Sequence, residues 1–173
     1  ARDLQALIGD PAFQALPPAQ QQAKLTEFAV LQSPEYQALS ASDQRLVRTA
    51  LEGRGADDTA LPGALKSLLE SGDFQGLGAA EQTAVLSQAA NYPDGRSVAN
   101  IERLLAKDWF QGFDLDDKQR TLKAIAYISQ NDAGDAQINA NTLDHVLSPD
   151  SDIVFAWDDS FNGNINSPGG LYG

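Results

Sequence analysis

The sequence predicts an all-α fold, in which stacked αα-hairpin repeats form a compact bundle or short solenoid with an irregular C-terminal arm. Three observations predict it: a four-residue phrase that occurs four times, apolar residues at helical spacing, and loops rich in glycine and aspartate. We divide the 173 residues into a helical repeat domain over 1–149 and an acidic arm over 150–173. The second part could also be the start of a further, truncated domain.

The repeated phrase consists of an aromatic residue, glutamine, a small residue, and leucine or phenylalanine. A serine or aspartate follows two of the copies, and such side chains accept hydrogen bonds from the first amides of a helix. An acid or glutamine three residues later can reach back to the capping residue. We therefore interpret the phrase as packing and capping chemistry. The copies are FQAL at 13–16, YQAL at 36–39, FQGL at 74–77 and FQGF at 110–113.

Apolar residues spaced three and four positions apart predict the long helices, which are taken here in chain order. The loops EGRGADD, NYPDGRS and NDAGDAQ separate them, and the 36 residues between Phe74 and Phe110 are a period typical of helical hairpins. The only stretch that could form a strand is Asp152–Trp157. Helices are predicted over roughly 2–8, 18–31, 41–52, 62–71, 79–90, 98–107 and 115–130, with a short one near 140–147.

Composition excludes several classes of function. The net charge of −12 argues against nucleic-acid binding, which needs lysine and arginine to neutralise phosphates. No run of about 18 apolar residues is present, so no membrane span is predicted. The absence of cysteine excludes disulfides and thiol nucleophiles. No lysine or arginine follows Lys123, so the C-terminal part is distinctly acidic.

No catalytic motif stands out, so whether the chain is an enzyme is uncertain, and we favour a non-catalytic role. The single histidine, His145, excludes a two-histidine metal motif, and Asp144 beside it would lie on the wrong side of a helix for a catalytic triad. No GxSxG, GxGxxG or GxxxxGK[ST] sequence occurs. A small hydrolase of cell-wall glycan or peptide, with paired carboxylates in the 94–159 half, remains an alternative.

Calcium is the only metal for which the sequence offers candidate ligands. In NDAGDAQIN, an EF-hand register places Ala133, Ala136 and Thr142 where a ligand, a glycine and a glutamate are needed. Turns explain such segments equally well, so no metal and no cofactor are predicted. The remaining candidate ligands are Asp158, Asp159, Asn162 and Asn164.

Partner binding is the function class that the aromatic residues favour. Trp109, adjacent to Phe110 at a helix junction, is expected in the core. Trp157 lies in the irregular arm among acids and is the better candidate for an interface anchor. We therefore expect the chain to bind a partner protein through its acidic C-terminal half, where the predicted partner-binding residues are Trp157, Asp158, Asp159 and Phe161.

The repeated pattern, clearest in SPEYQALSASDQ and SGDFQGLGAAEQ, resembles helical-repeat regions of large secreted bacterial toxins and effectors. The resemblance covers about residues 10–150, and INSPGGLYG resembles the entry to a metallopeptidase-like toxic domain. It implies a non-catalytic interaction or delivery module that leaves the cell through a bacterial secretion system, although no classical signal peptide is visible. The implied partner is a chaperone, an immunity protein or a cognate toxic domain. A pro-region of a metallopeptidase-like toxin is a further alternative, and without HExxH no peptidase activity carries over.

Overall fold

The computed structural model describes residues 2–55, 57–130 and 143–153, and all regular structure within these ranges is helical. The predicted all-α class is therefore confirmed. A further helical turn covers residues 143–147. The helices are α1 Arg2–Gly9, α2 Pro11–Gln14, α3 Pro18–Gln32, α4 Pro34–Gln37, α5 Ala41–Glu52, α6 Leu61–Glu70, α7 Gly72–Gln75, α8 Ala79–Asn91, α9 Gly95–Leu105, α10 Asp108–Gln111 and α11 Leu115–Gln130.

The predicted long helices are confirmed, with small differences at their ends. The largest difference is at α9, which begins at Gly95 rather than at residue 98. The reason is an N-cap, since the Asp94 carboxylate accepts a hydrogen bond of 2.9 Å from the Arg96 amide. Of the proposed strand, Asp152 and Ile153 have no regular structure, and residues 154–157 lie outside the described part.

Each copy of the repeated phrase contributes a one-turn helix, a feature that the sequence analysis did not predict. These are α2, α4, α7 and α10, and each of them buries its aromatic residue. A side chain caps the first three: Asp10 in α2, Ser33 in α4 and Ser71 in α7. The phrase therefore inserts an aromatic side chain into the core between two long helices.

The glutamine of the phrase caps the end of the long helix before it. The last carbonyl groups of an α-helix have no partner within the helix, so a side-chain donor stabilises them. In every copy the glutamine Nε2 donates to the carbonyl six residues earlier. The glutamine therefore caps the end of the preceding helix, whereas the sequence analysis expected capping only at the start of the following one. The four bonds are Gln14 to Ile8 (3.1 Å), Gln37 to Leu31 (2.8 Å), Gln75 to Leu69 (3.1 Å) and Gln111 to Leu105 (2.7 Å).

Capping contacts also form at the first turns of α5, α8 and α11. Ser40 and Asp114 cap α5 and α11 as predicted, through bonds of 3.2 and 2.8 Å to first-turn amides. In α8 the Gly78 amide donates to the Glu81 side chain at 3.3 Å, the predicted return contact. Glu81 also accepts from Lys118 of α11, which joins the two helices.

The long helices pack in two series. In one, α3 packs against α6 and α6 against α9; in the other, α5 packs against α8 and α8 against α11. α9 and α11 also pack together, and Ser97 donates to the Ala126 carbonyl at 3.2 Å between them. The largest fully buried side chains are Phe74, Phe110, Leu61, Leu65, Leu68, Leu69, Leu86, Ile101, Leu104, Leu105, Leu122 and Ile125. Among the described helices, none has the length and apolar character that crossing a membrane would require.

Candidate functional site

The main cavity is a groove of about 740 Å³ between α6 and α9. One face of α6 and its C-cap line it with Ala64, Ser67 and Ser71, because residues three and four positions apart share a helix face. The facing surface of α9 contributes Ala99, and the C-cap of α9 contributes Ala106. Because these side chains are small, they leave a groove on the surface between the two packed helices.

Residues 147–153 form the third wall of the groove. Arg103 of α9 and Lys107, the N-cap residue of α10, hold the chain at Asp144 and Ser148. Arg103 donates to the Asp144 carboxylate at 2.9 Å and to the Asp144 carbonyl at 3.1 Å. Lys107, only 9% exposed, donates to the Ser148 carbonyl at 2.6 Å. Ile153 packs against the core at the end of this wall. Both cations that line the groove are therefore engaged in structural contacts.

Four carboxylates line the same groove: Asp73, Glu102, Asp108 and Asp152. Three of them are exposed, and Glu102 is half-buried. Among the described residues, none of the four carboxylates has a hydrogen-bond or ion-pair partner. The four carboxylates outnumber the cations Arg103 and Lys107, and Asp144 also pairs with Arg103, so the groove presents a net negative surface.

Trp109 lies at the mouth of the groove and not in the interior. We expected this residue in the core, but it is half-buried and packs at the edge of the core. Its ring stands 5.7 Å from that of Phe113, centroid to centroid, at an interplanar angle of 55°. Trp109 is also one of the residues that line the cavity. The indole therefore packs against Phe113 at the edge of the groove.

A second depression, of about 490 Å³, adjoins the groove along α6. The two cavities share Ser67, Ser71 and Glu102. Lys66 lines the second depression, and its ammonium group lies 2.6 Å from the Glu70 carboxylate. Together the two cavities form one elongated surface rather than an enclosed pocket.

The site residues predicted from the sequence lie outside the described part of the chain. This holds for the partner-binding residues Trp157, Asp158, Asp159 and Phe161, and for the calcium ligands Asn162 and Asn164. It holds also for the EF-hand-like segment within residues 131–142. Across residues 2–55, 57–130 and 143–153, no group of three or more side chains is suited to hold a metal ion.

The geometry around His145 does not resemble a catalytic triad. His145 is exposed, and its neighbour Asp144 pairs with Arg103. Within the described part of the chain, the one resolved pKa shift belongs to Glu81, whose pKa lies below its ordinary value of 4.5 because Lys118 donates to its carboxylate. Glu81 does not line the groove, and its shift reflects the contact between α8 and α11.

Sequence reasoning missed Trp109, Asp73 and the other groove residues, although one signal pointed to them. The position before the repeated aromatic residue holds Ala12, Glu35, Asp73 and Trp109 in the four copies. Two of these four positions, Asp73 and Trp109, line the groove, and tryptophan differs most from the residues in the other copies. This departure from the repeated pattern is the signal that sequence reasoning could have used.

Comparison with known proteins gives no family for this chain. No protein-family model, curated protein or solved structure matches it.

Proposed function

We propose that the chain is a non-catalytic protein-interaction module, and that it binds a partner protein through the groove between α6 and α9. The supporting observation is the juxtaposition of Trp109 with four carboxylates that have no partner among the described residues. Tryptophan is enriched among the residues that contribute strongly to interfaces, and complementary charge steers association. Most of this surface belongs to the acidic C-terminal half that the sequence analysis favoured.

We also propose that the helices stack as αα-hairpin repeats. One unit would comprise α6, α7 and α8, and the next α9, α10 and α11. Two observations support the stacking: helices in equivalent positions pack against each other, and Gln75 and Gln111 make equivalent capping bonds. Stacked units offer extended surfaces for binding, and the groove would lie between two successive units.

The sequence-predicted contacts remain part of this proposal. Trp157, Asp158, Asp159 and Phe161 follow Ile153, which lines the groove, within a few residues of the chain. We propose that they extend the same partner-binding surface. The resemblance to repeat regions of secreted toxins and effectors supports a delivery role and a chaperone, an immunity protein or a cognate toxic domain as the partner.

A quantitative capture experiment tests this function. The full chain is immobilised and exposed to lysate of the source organism, and bound proteins are quantified by mass spectrometry. A groove variant, Glu102→Gln with Asp108→Asn, is compared with a control of equal charge, Glu52→Gln with Asp116→Asn, both exposed and outside the groove. The proposal predicts a partner that the groove variant loses and the control keeps. Equal capture by both variants would reject the groove as the binding surface.

A further inference from the structure

We infer that copies of this chain bind one another head to tail, with Asp117 on α11 of one copy against Arg45 on α5 of the next. The occupant of the α11 face is thus a second copy of this chain. The inference goes beyond the proposed function and does not involve the groove. It rests on a contact that recurs along the series α5, α8 and α11, and on the side chains at the two ends of that series.

An acid at the start of each helix in this series forms the recurring contact. The third residue of α5, α8 and α11 is Asp43, Glu81 and Asp117, respectively. The Asp43 carboxylate accepts a hydrogen bond of 2.7 Å from the Thr83 hydroxyl of α8, and Glu81 accepts from Lys118 of α11. The acid of one helix therefore binds a donor near the start of the next helix.

Asp117 occupies the same position at the end of the series. Within the described ranges no long helix follows α11, so no next helix supplies a donor. Among the described residues, the Asp117 carboxylate pairs with Arg120 of its own helix at 2.5 Å. A surface pair of this kind contributes little to stability. A donor from another molecule can therefore bind Asp117 at small cost.

Arg45 lies on the outer side of the first helix in the series. Positions two apart project about 200° apart around a helix, so Thr83 binds α5 on one side of α8 while Glu81 binds α11 on the other. Arg45 follows Asp43 by two positions and therefore projects away from α8. It is exposed and has no hydrogen-bond or ion-pair partner in the described part of the chain. α1 makes no extensive contact with α5 that would cover it.

The charges at the two ends of the molecule are complementary. The exposed charged side chains of α5 include more cations than acids: Arg45, Arg48 and Glu52. The segment 143–153, which binds α9 at the end of the other helix series, contains no lysine or arginine. Its exposed carboxylates are Asp144, Asp150 and Asp152. A head-to-tail arrangement brings opposite charges together, whereas two acidic ends would repel each other.

The contact uses two different faces of each copy. One copy can then bind a neighbour at each end, and such heterologous contacts produce open chains unless the rotation closes a ring. In this arrangement α5 of one copy follows α11 of another, as α8 follows α5 within the molecule. We therefore expect assemblies that grow with protein concentration beyond a dimer.

Sedimentation velocity of the full chain at several concentrations tests the inference. Physiological ionic strength screens the repulsion that the net charge of −12 produces. Arg45→Glu and Asp117→Arg should each weaken self-association about tenfold, because each places like charges opposite one another. The matched controls are Lys123→Glu and Asp116→Arg, which change the net charge equally but line the depression between α8 and α11. They should associate as the parent does, and circular dichroism checks that all variants fold.

An equimolar mixture of Arg45→Glu and Asp117→Arg provides the decisive comparison. In the mixture the new arginine faces the new glutamate, and the native Asp117 faces the native Arg45, so association should return. A parent chain that stays monomeric at every concentration would overturn the inference. Equal association of the two variants and their controls, or a mixture no larger than either variant alone, would also overturn it. Growth that stops at a dimer would exclude the head-to-tail arrangement.

Discussion

The side chain of Gln111 donates a hydrogen bond of 2.7 Å to the carbonyl of Leu105, which is the last residue of α9. The bond satisfies a carbonyl group at the end of α9 and links this end to the one-turn helix α10. Gln14, Gln37 and Gln75 make the same contact in the other copies. The repeated glutamine therefore fixes the direction in which the chain leaves each long helix.

Gln111→Ala should destabilise the protein by about 1 kcal/mol, the typical net contribution of one intramolecular hydrogen bond. Chemical denaturation followed by circular dichroism measures the change. Gln119→Ala is the matched control, because Gln119 is an exposed glutamine on α11 with no side-chain hydrogen bond in the described part. If the two variants have the same stability, the capping contact does not contribute.

Phe110→Ala should destabilise the protein by about 3–5 kcal/mol, because a fully buried phenylalanine leaves a cavity when it is truncated. Phe110→Leu, which preserves most of the volume, keeps the effect measurable if the alanine variant does not fold. Leu115→Ala is the control, since Leu115 is 38% exposed and its loss removes little packing. An effect of Phe110→Ala no larger than that of Leu115→Ala would contradict its role as a core anchor.

Gly95→Ala should destabilise the protein by about 1–3 kcal/mol, because an added Cβ would lie 2.8 Å from the Cβ of Ala60 and 3.0 Å from the Leu61 amide nitrogen. The contact is with backbone, which cannot yield easily. Gly63→Ala in α6 is the control, since nothing lies within 4 Å of its added Cβ. That variant should be neutral or stabilising by up to about 1 kcal/mol. Thermal denaturation of both variants measures these changes in stability, and equal stability of the two would contradict the close contact at Gly95.

The Glu81–Lys118 contact predicts a specific dependence of stability on pH. Because Lys118 holds the pKa of Glu81 below 4.5 in the folded state, the unfolded chain takes up the proton first as the pH falls. The stabilisation is therefore present above about pH 4.5 and is lost as the pH falls through the lower, folded-state pKa. The stability difference between the parent protein and Glu81→Gln should shrink between pH 7 and pH 3. A difference that stays constant over this range in urea denaturation would exclude the linkage.

Much of the helical framework could be predicted from the sequence, because each long helix carries its own apolar spacing and its own capping residues. The caps at Ser40 and Asp114 are local signals of this kind. The one-turn helices were missed because four residues are too few to show a helical period. The residue five positions after the phrase is Gln21, Gln44 and Gln82 in the first three copies and Lys118 in the fourth. The packing of α8 against α11 gives Lys118 its partner Glu81.

The groove could not be predicted because it is a product of tertiary packing. Asp73 and Trp109 are 36 residues apart in sequence and line one cavity only because α6 and α9 pack side by side. The hydrogen bond from Lys107 to the Ser148 carbonyl, which holds one wall of the groove, is equally non-local. Sequence reasoning favoured the acidic C-terminal half as a whole, and Glu102, Asp108 and Asp152 belong to it.

The most direct test of the central claim compares partner capture from lysate between the groove variant, Glu102→Gln with Asp108→Asn, and the control, Glu52→Gln with Asp116→Asn. The account predicts that the groove variant loses a partner that the control keeps. Equal capture by both variants would contradict a binding groove between α6 and α9.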